Sequence, residues 1–275
     1  MKQWHAIQKL LDDRDPEVWS ALEAEIVSYG LEAVPLLEEA WERTLDELVQ
    51  SRIEALVRKL HFREAEQALL AWRYGSRDYR ALQGLLHRFL FPDIATKRMD
   101  AKLERMLREV QQALPHGNLQ ARILVLNHVV FDVHRLGAQQ RKAAGLSLHF
   151  VHNLLERGSG SPLALNFLFL MLSERLGLGL QPVALPRHFV LCSPVIGGEG
   201  YPEFYVNPYG KGAVFSYREL LQYLKETGHS TGVEQMQAVD AMTFARGALG
   251  ELILHAKKMQ LNQRMEELSK LHELL

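Results

Sequence analysis

The run SPLALNFLFLMLSERLG, Ser161 to Gly177, has helical length and is apolar on almost every face. A helix without a polar stripe must be buried on all sides, so this chain has to wrap other elements around it. Ser161 followed by Pro162 is the pairing that a helix N-cap and first turn ask for. Downstream the pattern changes to short β-type runs, PVAL, HFVLCS, EFYVN and AVFS, punctuated by Pro186, GGEGYP and NPYGKG. A buried helix leading into turn-bounded strands predicts a predominantly helical α+β fold, with the helix packed against a small antiparallel sheet.

From Trp4 to about Leu114 the chain is dense in Leu, Ala, Glu and Arg at helical spacing. Asp15 and Pro16 open a helix, Gly30 suits a helix C-terminus, and Pro35 opens another. The stretch from Leu10 to Ala40 has the form of one HEAT-like hairpin. PHGN, Pro115 to Asn118, is a turn and a domain boundary. ARILVLNHVVFDVHRLG and LSLHFVHNLLERG each read as a helix. Ser216 and Glu219 form a capping-box pair at the head of SYRELLQYLKETG. Two amphipathic stretches from about Glu234 to Leu275 read as a tetratricopeptide-like hairpin or a helical cap. These signals divide the chain into a helical region at 1–114, a core at 115–232 and a C-terminal hairpin at 233–275.

With 47% hydrophobic and 24% charged residues among 275, the composition is globular. A formal net charge of -1 carries no footprint for nucleic acid or an anionic membrane, and the basic loop beginning at Arg135 is too slight to change that. A single cysteine excludes an internal disulfide framework and a cysteine-based zinc site, which fits a reducing compartment. The N-terminus carries charges where a secretory signal has its apolar core, and no stretch reaches the length of a membrane span. A cytoplasmic protein is expected.

ALPRHFVLC, Ala184 to Cys192, sets a histidine and the sole cysteine on one short strand. Four residues of strand separate His188 and Cys192 by about 13 Å, beyond hydrogen-bond reach, and an apolar flank makes Cys192 a small core residue. GSGS and GLGL lack the lysine of a P-loop, the third glycine of a dinucleotide turn and the pattern of a nucleophile elbow. Two histidine groups, His149 with His152 and His128 with Asp132 and His134, lack the further ligand that a metal motif needs. No cofactor and no metal centre are expected.

The strongest local assembly runs from Arg157 to Leu191 and on into FYVNPYGKGAVF. Its order is a glycine and proline before an apolar helix ending in Arg-Leu-Gly-Leu, a short strand, Leu-Pro-x-His-Phe, then a strand into Asn-Pro-Tyr-Gly. This order resembles the SirB-type transglutaminase-like proteins, over roughly residues 95 to 275 and including VLNHVVFDVH upstream. The resemblance implies a transglutaminase or papain-like core in which a cysteine opens the buried helix, a histidine heads a facing strand, and an aspartate or asparagine on the next strand orients the imidazole. Carried onto this sequence, the nucleophile position is Pro162, the histidine is His188 and the orienting residue is Asn207. An amide can hold an imidazole but cannot stabilise its cation by charge. Ser161 stands beside the vacant nucleophile position and also suits a helix N-cap. Asn166, four residues after Pro162 and on the same face, either bonds a neighbouring loop or lines the remnant site. His188 is either part of that remnant or a core histidine.

The function expected from this reading is that of a catalytically inactive transglutaminase-like module that binds a protein or peptide. A second reading is a hydrolase or acyl-transferase whose site has re-formed around Ser161, His188 and Asn207. A third is a purely structural helical-repeat adaptor.

Overall fold

In the computed structural model, residues 2–94, 97–139, 145–186, 188–226 and 236–275 are described. The 232/233 boundary, Glu234, Arg187 and residues 140–142 of the basic loop lie outside them. Side chains that accept the free amides of the first turn set most helix starts. After α1 (Lys2–Lys9), Asp15 accepts from Glu17 at the head of α2 (Pro16–Ser28), which gives way at Gly30, φ +62°, to a 3₁₀ turn and then α3 (Val34–Arg43). Asp46 heads α4 (Glu47–Tyr74) and Asp78 heads α5 (Tyr79–Leu90). Helix α6 (Lys97–Ala113) follows, and the PHGN turn ends in Asn118, which caps α7 (Leu119–Asn127). The first half of this chain is helical, as its periodicity predicts.

Two segments expected to be single helices are broken. Helix α7 widens into a π-helical turn at His128–Val133, where the His134 amide reaches back five residues to Val129. LSLHFVHNLLERG splits into a 3₁₀ turn, Leu146–His149, and helix α8 (Val151–Arg157). The break is at Phe150, whose backbone is extended at φ -114°, ψ 141°. Its buried ring packs on Phe91 and His87 at centroid distances of 5.4 and 5.9 Å. A straight helix would hold His149 and His152 on one side. With the kink, His152 lies against His87, 3.9 Å between rings, and His149 lies against His255, 4.2 Å between rings.

Two short parallel strands, β1 (Gly137–Ala138) and β2 (Ser159–Gly160), lead into α9 (Pro162–Leu176), whose residues from Leu163 to Ser173 are all buried. Strands β3 (Gln181–Ala184), β4 (Phe189–Cys192), β5 (Tyr205–Asn207) and β6 (Ala213–Phe215) then form an antiparallel meander in that order. Alternation sorts its faces. Leu191 and Val206 join the core around α9, whereas Val190, Cys192 and Tyr205 pack with Leu220 and Leu224 of α10 (Tyr217–Glu226). The Ser216–Glu219 capping box is formed at the head of α10. The chain closes with α11 (Ala241–Lys258) and α12 (Asn262–Glu273), packed on each other.

Residues from Ile7 to Leu60 make one apolar core, residues drawn from Ala65 to Leu275 make a second, larger one around α9, and the outer sheet face with α10 makes a third, small one. The larger core therefore draws on both sides of position 114. Helix α11 enters it through Phe244, in ring contact with Tyr79, Phe167 and Phe189. One turn on, Gly247 leaves room for the Phe189 ring; a Cβ there would stand 2.4 Å from the ring's edge.

Alanine at position 247 should improve helix propensity by about 1 kcal/mol, yet it must displace a packed ring, and overpacking costs typically 1–3 kcal/mol. Gly247→Ala is expected to lower the urea midpoint, and Phe189→Leu in the same chain to restore part of the loss. A second expectation concerns acid. Burial, with His87 beside it, holds the His152 imidazole down to about 4 from its ordinary 6.5. The unfolded chain takes up that proton below pH 6.5 and the folded chain resists it, so stability is complete above pH 6.5 and falls as pH drops towards 4, by roughly 3 kcal/mol. His152→Leu should flatten the dependence over that window in denaturant melts made from pH 7 to 4.5.

Candidate functional site

The N-terminus of α9 is fixed by its own sequence. Ser161 has extended backbone, its Oγ accepts the Ala164 amide at 3.3 Å, and Pro162 occupies the first turn, where a missing amide costs nothing. The Ser161 amide donates to the Leu148 carbonyl at 3.0 Å, which ties the helix start to the 3₁₀ turn containing His149. Gly160 permits this approach, since a Cβ there would meet Ala164 and Leu154 at 3.1 and 3.3 Å.

Around that helix end stands a polar cluster within an apolar setting. His149 is 2% exposed and its Nδ1 is 3.1 Å from Ser161 Oγ. Glu251 of α11 places Oε1 3.2 Å from the same nitrogen, outside hydrogen-bond direction. His149 Nε2 is buried with no hydrogen-bond partner among the described residues. His255, one turn beyond Glu251, has Nδ1 3.1 Å from the Glu251 carbonyl. A carbonyl only accepts, so that nitrogen carries the proton and Nε2 the lone pair. Burial lowers the pKa of His255, and His149 beside it acts in the same direction. Burial also lowers the pKa of His188, against the opposing charge of Glu251. His188 thus senses the same carboxylate.

The residues singled out from sequence fall into separate places. Asn166 donates to the Phe189 carbonyl at 3.0 Å, pinning the start of β4 to α9, while its Oδ1 is buried without a partner among the described residues. Asn207 Oδ1 accepts the Gly210 amide at 3.2 Å in the turn Pro208–Gly210; among the described residues no hydrogen bond joins it to His188. His188 lies in the turn before β4, its carbonyl accepting from Leu185, so strand β4 itself begins one residue later. Cys192 is fully buried on the sheet face turned away from α9, and burial pushes its thiol up to about 12. Of the other histidine groups, His128 pairs with Asp132 at 2.8 Å on the surface and His134 turns to Glu109 of α6.

Glu251 and His255 were not singled out by the sequence reading. Their four-residue spacing in GELILHA, on one face of a helix, is the signal that was there to find. With Gly247 they form a stripe at positions i, i+4 and i+8. Seating Phe189 against Gly247 therefore carries Glu251 and His255 toward the start of α9.

Comparison with known proteins gives the following. F-box only protein 21 of Mus musculus is 26% identical over 153 residues, covering 53% of this chain and 23% of that protein, and the Homo sapiens protein of that name matches to the same extent. The UPF0162 protein of Vibrio cholerae is 24% identical over 165 residues, 58% of this chain and 59% of that one. The chain thus spans about a quarter of the F-box relatives' length and under two thirds of the bacterial one. No solved structure matches. The profile of the transglutaminase-like superfamily matches residues 97–246, which hold the enclosed helix, the meander and the first turns of α11, and the chain belongs to that superfamily.

Proposed function

We propose that this protein is a transglutaminase-like module that acts by binding a protein or peptide rather than by thiol catalysis. The observation that carries the reading is the position of the sole cysteine. Cys192 is sealed in the sheet–α10 core, and a thiol pushed up to about 12 supplies almost no thiolate at neutral pH. At the start of α9, where the family resemblance puts a nucleophile, stands Pro162. On this reading Pro162, His188 and Asn207 are the remnant of a site.

A surface suited to a partner lies elsewhere. Helices α3, α4, α5 and α12 and the segment after α5 line a groove of about 660 Å³, with Trp41, Val57 and Phe89 on its walls and Glu38, Glu54, Asp93, Arg58 and Arg264 around them. Trp41 is 39% exposed and its indole donates to Glu54 at 3.2 Å. Apolar walls ringed by charges of both signs favour a segment carrying an apolar anchor with polar flanks.

The acyl-transfer reading has one observation in its favour, the 3.1 Å contact of Ser161 Oγ with a histidine nitrogen, although the histidine is His149 and not His188. In a serine triad the acid holds the ring nitrogen opposite the one facing serine. Here Glu251 and Ser161 approach the same nitrogen, and the opposite one has no partner among the described residues. Ser161 Oγ is also engaged as the helix cap. The arrangement holds His149 in place better than it activates Ser161.

The test sets capture from native lysate by the wild type beside Trp41→Ala and His188→Ala, together with assays of amine transfer, peptide hydrolysis and ester hydrolysis. The binding reading expects partners that Trp41→Ala or His188→Ala loses, and no turnover sensitive to thiol alkylation. Turnover abolished by alkylating Cys192, or ester hydrolysis abolished by Ser161→Ala in a folded protein, would replace it with the enzyme reading. An identical set of partners for all three chains would remove both the groove and the remnant site from the proposal.

A further inference from the structure

His149 comes from the turn before α8 and Glu251 and His255 from α11, about a hundred residues later, yet one possible ligand atom from each lies within 4.8 Å of the other two. Two imidazoles and a carboxylate are the donor set of three-ligand zinc sites, which keep a fourth position open. The spacing fits as well. Donors around a tetrahedral ion with bonds of about 2.0–2.2 Å stand about 3.3–3.6 Å apart. His149 Nδ1 and Glu251 Oε1 are 3.2 Å apart without a hydrogen-bond direction between them. His255 lies within 4.8 Å of both, and its side chain is partly exposed, which leaves it room to close the set.

The protonation pattern leaves the lone pairs available. His255 donates through Nδ1 to the Glu251 carbonyl, so Nε2 is free to ligate, and that carbonyl orients the ring as an outer partner does in metal sites. His149 offers Nδ1, the nitrogen that faces both the Glu251 carboxylate and Ser161 Oγ. The sequence pairs His149–His152 and His128–His134 lacked a third ligand; here α11 supplies both others by folding back over α9.

We propose that His149, Glu251 and His255 form a binding site for one divalent transition-metal ion of the zinc type, with the fourth coordination position open beside Ser161. The site is independent of the binding reading above. Imidazole-rich coordination favours zinc or cobalt over magnesium, which prefers oxygen ligands in an octahedron.

The experiment uses the full chain, stripped with chelator and titrated calorimetrically with Zn²⁺ and with Mg²⁺ at pH 7, alongside the visible absorption of bound Co²⁺. The expected result is one equivalent of Zn²⁺, a tetrahedral Co²⁺ spectrum and no comparable Mg²⁺ binding. His255→Ala and Glu251→Gln should each weaken Zn²⁺ binding by more than about 100-fold, beyond the loss of a mere outer partner, while His128→Ala should leave it unchanged. His255 and Glu251 are partly exposed, so these two variants decide the matter even if His149→Ala fails to fold; circular dichroism checks each. Absence of one-equivalent Zn²⁺ binding, binding indifferent to both α11 variants, or a preference for Mg²⁺ would overturn the proposal.

Discussion

Enclosure of α9 is the constraint on which the larger half of the structure depends. Eleven consecutive residues, Leu163 to Ser173, are buried, and a helix of this kind has no face that water can cover. Each large apolar side chain removed from water contributes about 1.5–3 kcal/mol, so leaving any side of α9 open would be costly. Helices α5, α6 and α8, strand β4 and the turn after β5 pack against α9, and Phe244 brings α11 against Phe167. The polar residues that α9 does carry are spent at its ends or on neighbours: Ser173 accepts the Leu180 amide, and Arg175 pairs with Glu104 of α6.

The same enclosure builds the site. Asn166 inside α9 holds the Phe189 carbonyl, the Phe189 ring sits over Gly247, and Glu251 and His255 follow at one-turn intervals on α11. A chain of short-range constraints thus determines where a carboxylate and an imidazole come down beside His149. None of these links involves Cys192, which belongs to the other face of the sheet. The histidine and cysteine that are close in sequence therefore have different surroundings: His188 shares the electrostatic neighbourhood of Glu251, and Cys192 shares an apolar core with Tyr205 and Leu220.

Paired histidines are the second theme of the molecule. His87 and His152 meet in an aromatic pocket, and His149 and His255 meet beside a carboxylate. The first pair is held neutral by desolvation, a cost that appears only in acid. The second has a carboxylate beside it, which completes the donor set of the proposed ion site. The kink at Phe150 sends the two histidines of LSLHFVHNLLERG to these different surroundings.

By itself the sequence determined that α9 is buried, where it starts and where the meander strands lie, because these depend on local chemistry: apolar content, Ser-Pro at a helix start, and Gly or Pro between short β-type runs. It also placed the capping side chains Asp15 and Ser216, which act within two or three residues of themselves. It did not show the break at Phe150, since that ring leaves helical geometry to fill a pocket made by α5, and no local signal records a distant pocket. Nor did it assemble His149, Glu251 and His255. Their meeting depends on how α11 docks on α9, through Phe244 and the gap at Gly247. Only the tertiary structure decides that contact, because the free energy that sets it comes from burying side chains some eighty residues apart in the chain.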